Sequence, residues 1–216
     1  MKDNYIVTIS RQYGSGGRAI GQRLAEALGV PYYNKEVVSL AAEESGLNAE
    51  FIRNSLIDVP SNKFWYALAI NPQALMISTD NGLLTADMTN KALCEAVKNI
   101  VSGESCVIVG RYAGSILKDQ ENVIRVFITA DIDDRTKRIV ERDGLNPKAA
   151  AQKIKKVDKE RATYADLHFD DEWGKAETYD ICINCSKVGV EGAVELIRQV
   201  VEIHRKRVSD KEEQEK

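Results

Sequence analysis

No stretch of this 216-residue sequence approaches the roughly 18 to 20 consecutive apolar residues that a membrane-spanning helix needs, so none is expected. Histidine is nearly missing. His168 and His204 stand alone in the sequence, and no serine–histidine–aspartate set can be assembled around either. Cysteine is scarce too. Four thiols in a chain this long make no disulfide framework, and a reducing compartment would keep them free. Cys182 and Cys185 form a C-x-x-C at the end of a strand-like run, with Cys94 and Cys106 far off. That spacing speaks against a zinc site and against a redox pair, whose cysteines open a helix. An excess of charge is absent as well: 30 basic against 33 acidic residues leave −3, which exerts no overall pull toward nucleic acid or anionic membrane.

What the sequence does have is apolar residues enough for a substantial core, 44% of the total, and charged residues at an ordinary 29%. One domain over residues 1–208 and a short charged tail over 209–216, solvated and frayed, are expected. Met1 to Asn4 run directly into a strand pattern and leave no room for a leader, so a cytoplasmic chain is expected.

Four runs rich in β-branched residues and bounded by turn residues predict strands: Tyr5 to Ile9, Cys106 to Val109, Ile124 to Ile128 and Tyr179 to Ile183. Val30 to Tyr33 predicts a shorter fifth. Helical periodicity lies between them, at Ile20, Leu24 and Leu28, and at Leu93, Ala96, Val97, Ile100 and Val101. Asp131 is placed to cap a helix reaching about Arg142. Asn146 followed by Pro147 opens another to about Tyr164, and a last one covers about Val190 to Arg205. Such alternation predicts an α/β fold, a parallel sheet with helices on both faces and a ligand site beyond the carboxyl ends of the strands. Residues 45–87 break this rhythm at Asp58-Val59-Pro60, Asn71-Pro72 and Asn81-Gly82, and read as an excursion carrying the aromatic group Phe64, Trp65 and Tyr66.

The chemistry begins at Ser10-Arg11-Gln12-Tyr13-Gly14-Ser15-Gly16-Gly17-Arg18, between the first strand and the Ile20/Leu24/Leu28 helix. Glycines there let backbone N–H groups turn in around an anion, and the helix start adds open donors and a positive dipole end. Arg11, Gly14, Ser15, Gly16, Gly17 and Arg18 are therefore the candidate phosphate-binding residues. Gly14 to Ala19 also fit the dinucleotide pattern G-x-G-x-x-A, with Asn34 or Glu36 about twenty residues on. Four residues between Ile9 and the first glycine favour the longer P-loop over that reading. The P-loop's Gly-Lys-Ser/Thr ending is not kept. If Gly16 is its final glycine, Gly17 holds the lysine position and Arg18 the hydroxyl position; if Gly17 is, these pass to Arg18 and Ala19. Arg11 or Arg18 could supply the missing charge.

Val107-Ile108-Val109-Gly110-Arg111 places an arginine at a strand end, where a guanidinium fork suits a phosphate. Arg135, Arg138 and Arg142 recur at helical spacing, while Lys153, Lys155, Lys156 and Lys159 read as a solvated face. Asp158 and Arg161, three apart near a helix end, can present a carboxylate and a guanidinium together. Asn34-Lys35-Glu36, after the short second strand, could face an acceptor.

Ile9 to Arg18, Val107 to Arg111, Val126-Phe127-Ile128, Asp158-Lys159-Glu160-Arg161 and Tyr179 to Asn184, in this order and separation, resemble the nucleoside monophosphate kinases, in particular the cytidylate kinase-like branch. The resemblance spans about Tyr5 to Arg205. It implies a P-loop NTPase-like five-stranded parallel sheet, a monophosphate-binding insertion over 45–87 and a helical lid over 142–172 that closes on ATP. It also implies transfer of the ATP γ-phosphoryl group, with Mg²⁺, to CMP, dCMP or a related acceptor. On its terms Arg111 contacts the monophosphate, Asp158 the acceptor ribose, Arg161 the transferring phosphate and Arg135 a further phosphate, making Arg111, Arg135 and Asp158 the acceptor-binding set. Arg18, Arg111 and Arg161 are the candidate catalytic residues, since phosphoryl transfer is mostly positioning and charge neutralisation. The usual aspartate after Gly-Arg is Tyr112 here. Partners are then nucleotides, with neither nucleic acid nor membrane, and a homo-oligomer stays open. A nucleotide-sensing protein on a kinase fold and an NAD-linked oxidoreductase are the alternatives.

Overall fold

The computed structural model describes residues 4–45, 90–169 and 171–214. In chain order these are β1 (Ile6–Arg11), α1 (Gly17–Leu28), β2 (Tyr32–Tyr33), α2 (Glu36–Ser45), α3 (90–101), β3 (Cys106–Val109), α4 (Ala113–Ile116), β4 (Val123–Thr129), α5 (Ile132–Asp143), α6 (Pro147–Phe169), a 3₁₀ turn (Ala176–Thr178), β5 (Ile181–Asn184) and α7 (Cys185–Gln214). The strands form one five-stranded sheet in the order β2-β3-β1-β4-β5, every pairing parallel. The excursion expected over 45–87, with Phe64, Trp65 and Tyr66, lies outside the described residues, apart from Ser45 at the end of α2.

The two-residue period of the strands divides the core. Val7, Ile9, Val107, Val109, Ile124, Val126 and Ile128 point to one face, where Ile20 and Leu24 of α1 and Ala193, Ile197 and Val201 of α7 cover them. Ile6, Cys106, Ile108 and Val123 point to the other, against Val37 and Ala41 of α2 and Leu93, Ala96 and Val97 of α3. Both faces are dry, which is why the strands read as near-continuous β-branched runs. Burying a side chain such as Ile20 or Leu24, fully enclosed here, contributes about 1.5–3 kcal/mol. A third, small cluster of Ile139, Ala150 and Ile154 joins α5 to α6, and Tyr13 packs on it.

Element ends differ from the sequence reading where neighbours decide them. β1 runs to Arg11, because β4 pairs with it up to Arg11↔Ile128. Ser10 and Arg11 are therefore strand, and the connection to α1 is only 12–16. β2 shrinks to Tyr32–Tyr33, since Pro31 has no N–H and joins the sheet only by accepting from Val107 N at 2.9 Å. Asn146 caps α6 as expected, its Oδ1 accepting from Ala149 N at 2.9 Å. The helix then continues past Tyr164 to Phe169, which leaves Asp158 and Arg161 in mid-helix. Asp131 precedes α5 without a side-chain cap; its carboxylate instead takes Asn184 Nδ2 at 2.9 Å and Lys187 Nζ at 3.2 Å. Cys182 is exposed on β5, and Cys185 opens α7, both as free thiols. α7 is broken at Gly189 and otherwise continues to Gln214, so the backbone of the expected frayed tail is helical up to there. No described helix is long and apolar enough to cross a membrane.

Candidate active site

Because β1, β2 and β3 are parallel, their carboxyl ends open on one edge. Arg11 ends β1, Asn34 follows β2, and Gly110-Arg111 follow β3. Around this edge lies a cleft of ≈ 570 Å³, and Arg11, Arg18, Arg111 and Arg161 all line it. Asn34 and Lys35 line it as well, as the sequence allowed.

The glycine turn is held from behind. Gln12 N donates to Ile128 O at 3.0 Å, and Ser15 Oγ donates to Gln12 O at 2.9 Å, so the Ser15 hydroxyl closes the turn on itself. Arg135 Nε donates to Tyr13 O at 2.8 Å, and Arg138 Nη1 to Gly14 O at 3.1 Å. With these carbonyls occupied, no described residue accepts the N–H of Gly14, Gly16, Gly17 or Arg18. Gly14 at φ +80° and Gly16 at φ +94° supply the left-handed backbone that the turn requires. Gly16 caps α1, and the helix proper begins at Gly17. Open amides gathered at a helix start form an anion site. Tyr13 and Arg18, on either side of the glycines, line the cleft; the glycines themselves do not.

Arg135 and Asp158, expected at the acceptor, stand behind the turn. Asp158 Oδ1 accepts from Tyr13 N at 2.7 Å, its other oxygen is paired with Arg135, and neither residue lines the cleft. The physical reason is the rotation of α5 and α6, set by the Ile139/Ala150/Ile154 cluster, which aims this pair at Tyr13. Arg161, one helical turn on, does reach the cleft, with Nη1 donating to Arg11 O at 2.7 Å and lying 3.9 Å from Asp158. Burial pulls its guanidinium below the usual value, against the opposing charge of Asp158.

Arg11 is threaded between two glycines. A Cβ on Gly17 would stand 2.8 Å from Arg11 Cβ, and one on Gly110 would overlap the guanidinium Nη1. Burial first, and then the charges of Arg161, Arg111 and Arg18, hold the Arg11 guanidinium well below its ordinary value. Gly110, Arg111 and Tyr112 are three consecutive left-handed residues, with φ of +77°, +55° and +53°. Two of them carry side chains, at a cost of about 1–3 kcal/mol each. That conformation puts Arg111 in the cleft, with Nε donating to Asn34 O at 3.3 Å, while the Tyr112 ring stacks on Tyr164 at 4.4 Å and Phe169 at 5.6 Å. Burial raises the Tyr112 phenol, against Arg161, Arg11 and Arg111, so it keeps its proton at neutral pH.

Sequence reasoning missed Tyr13, Lys153, Val157, Glu160 and Trp173, all of which line the cleft. It noted Arg138 only as part of a helical series. The 3-4 spacing of Arg135, Arg138 and Arg142 was the available signal, because three forks on one helix face need acceptors opposite them. Among the described residues Glu160 is the one carboxylate that lines the cleft, and no group of three His, Cys, Asp or Glu could hold a metal.

A profile of the cytidylate kinase-like family matches residues 6–187. The chain belongs to that family. Like other cytidylate kinase-like proteins it is a phosphotransferase. Among curated relatives, the cytidylate kinase of Archaeoglobus fulgidus is 26% identical over 209 residues, covering 95% of this chain and 99% of the relative. Among solved structures, an uncharacterized protein from Eubacterium ventriosum is 30% identical with a TM-score of 0.65, covering 92% of this chain and 98% of that one. Shikimate kinase from Bacteroides thetaiotaomicron shares the fold at 12% identity and a TM-score of 0.53, over 92% and 98% of the two chains. For a cytidylate kinase-like chain, the five-stranded parallel sheet and its strand-edge cleft are the expected frame.

Proposed function

We propose that this chain transfers the γ-phosphoryl group of ATP to a nucleoside monophosphate, with CMP or dCMP as the first acceptor. The observation that carries this is the gathering of Arg11, Arg18, Arg111 and Arg161 on one cleft to which the described residues add a single carboxylate, beside the open amides of the glycine turn. That is a charge excess which two phosphorylated ligands would neutralise.

In the reaction, a phosphate oxygen of the acceptor attacks Pγ and forms the new P–O bond. The bond from Pγ to the β-bridging oxygen breaks, its electron pair stays with ADP, and no redox change occurs. The protein's part is to hold both ligands in line and to neutralise charge, for which one well-placed arginine contributes roughly 10³ to 10⁵ in rate in GTPases. Arg111, at the end of β3 beside Asn34 and Lys35, is assigned to the acceptor phosphate. Arg161 and Arg18 are assigned to the transferring group. Mg²⁺ would accompany the phosphates, and Glu160, a carboxylate in the cleft lining, is the described residue that would hold one of its waters. When bound it would neutralise charge on the β- and γ-oxygens. We assign residues 142–172 to a lid, because Lys153, Val157, Glu160 and Arg161 of α6 form one wall of the cleft.

ADP release measured across the nucleoside monophosphates tests the reading. The Arg111→Ala variant should raise the acceptor KM roughly 10- to 100-fold, the worth of a charged hydrogen-bond pair, with little change in ATP affinity. ATP binding without turnover on any acceptor would leave a nucleotide-sensing protein instead. Binding of NAD with none of ATP would remove the kinase reading altogether.

A further inference from the structure

With Gly16 as the cap of α1, the turn can be set in register. A P-loop reads glycine, four residues, glycine, lysine. Counting back from Gly16 puts Arg11 at the first glycine position, and counting forward puts Gly17 at the lysine position. The chain departs from the pattern at both places, in opposite senses: a cation stands where the motif has no side chain, and no side chain stands where the motif has its cation. The two positions also touch, since a Cβ on Gly17 would lie 2.8 Å from Arg11 Cβ and 2.9 Å from Arg11 Cγ. Real Cβ atoms do not pack that closely, so position 17 has room for a side chain only if Arg11 is moved or removed.

We propose that the glycine and the cation of the motif have exchanged places, so that Arg11 supplies to the β- and γ-phosphates of the nucleotide the charge that a P-loop lysine ordinarily supplies. This rests on the kinase reading above. Three further features support it. The Arg11 side chain passes over Gly17, and its guanidinium lies against Gly110, the space a Cβ at either residue would take. No described carboxylate forms an ion pair with Arg11, although three other arginines surround it. Burial, and then those like charges, weaken its hold on its proton, and the negative charge of a polyphosphate would act in the opposite sense. A guanidinium fork can also take two phosphate oxygens at once, which an ammonium takes only as a point charge.

The test uses the full chain with ATP as the probe, measuring ATP affinity by calorimetry, turnover by ADP release, and folding by circular dichroism and Tm. Arg11→Met should keep the fold, weaken ATP binding at least about tenfold and lower kcat roughly 10²- to 10³-fold, the range seen when one preorganised charge-stabilising donor is removed. Gly17→Lys alone should be inactive and lowered in Tm, because the new side chain meets Arg11. The double variant Arg11→Gly/Gly17→Lys should fold better than Gly17→Lys and turn over at least about tenfold faster than Arg11→Gly, since it rebuilds the ordinary order of the motif. A Met variant whose ATP affinity and kcat stay within about threefold of the unsubstituted chain overturns the proposal. So does a folded double variant no faster than Arg11→Gly; if the double does not fold, the Met variant decides alone. No ATP binding or turnover in the unsubstituted chain would bring down the kinase reading with the proposal. Turnover there that survives Arg11→Met brings down only the assignment of Arg11.

Discussion

Replacing Asp158 by alanine distinguishes a residue that holds the acceptor from one that holds the glycine turn. In the structure the carboxylate pairs with Arg135 and accepts the Tyr13 N–H at 2.7 Å; the side chains of Arg135 and Asp158 are only 7% and 17% exposed. Removing it strands a nearly buried guanidinium and orphans a backbone donor. Breaking a buried pair from one side costs about 3–5 kcal/mol, and partial exposure of the aspartate favours the lower end. At about 2–4 °C per kcal/mol for a domain of this size, Tm should fall by about 6–12 °C. Calorimetry on the Asp158→Ala, Arg135→Met and combined variants is the assay. The double should be less destabilised than the sum of the singles, because the second substitution removes the stranded charge. ATP affinity should fall in both singles, as the carbonyl and the amide of Tyr13 lose their anchors. A Tm within about 2 °C of the unsubstituted chain, with only the acceptor KM raised, would refute this placement and return Asp158 to the acceptor ribose.

Three other outcomes follow from the packing. Gly21→Ala should cost about 1–3 kcal/mol in urea denaturation, because its Cβ would overlap Val109 Cγ2, and adding Val109→Ala should recover part of that loss. Burial pushes the Cys106 thiol from 9.0 up to about 12, so between these values the unfolded chain releases a proton that the folded chain keeps. The folded state then binds more protons, stability falls as pH rises through that window, and Cys106→Ala should delay the fall in a series of Tm against pH. Iodoacetamide at pH about 8 should label the exposed Cys182 first, with Cys106 and Cys185 reacting only on unfolding; mass spectrometry of early labelling reads the order.

The sequence by itself determined what short-range pattern can carry. Period-two runs such as Val7/Ile9 and Val107/Val109 announced strands of a doubly covered sheet, and the glycines before Ile20 announced an anion-binding helix start. Gly110-Arg111, directly after a buried run, had to emerge at the sheet edge where ligands bind. The tertiary structure alone decided which arginines face that edge. Tyr13 meets Asp158 and Arg135 across separations of 145 and 122 residues, and those contacts depend on how α5 and α6 are rotated by the small cluster around Ile139. Helical spacing shows that Arg135, Arg138, Asp158 and Arg161 recur on faces, without showing what each face meets. The length of β1 likewise came from its partner: pairing with Ile128 draws Ser10 and Arg11 into the strand. Arg11 thereby lies between Gly17 and Gly110, because side-chain direction alternates along a strand and its phase is fixed only once the neighbouring strand is in register.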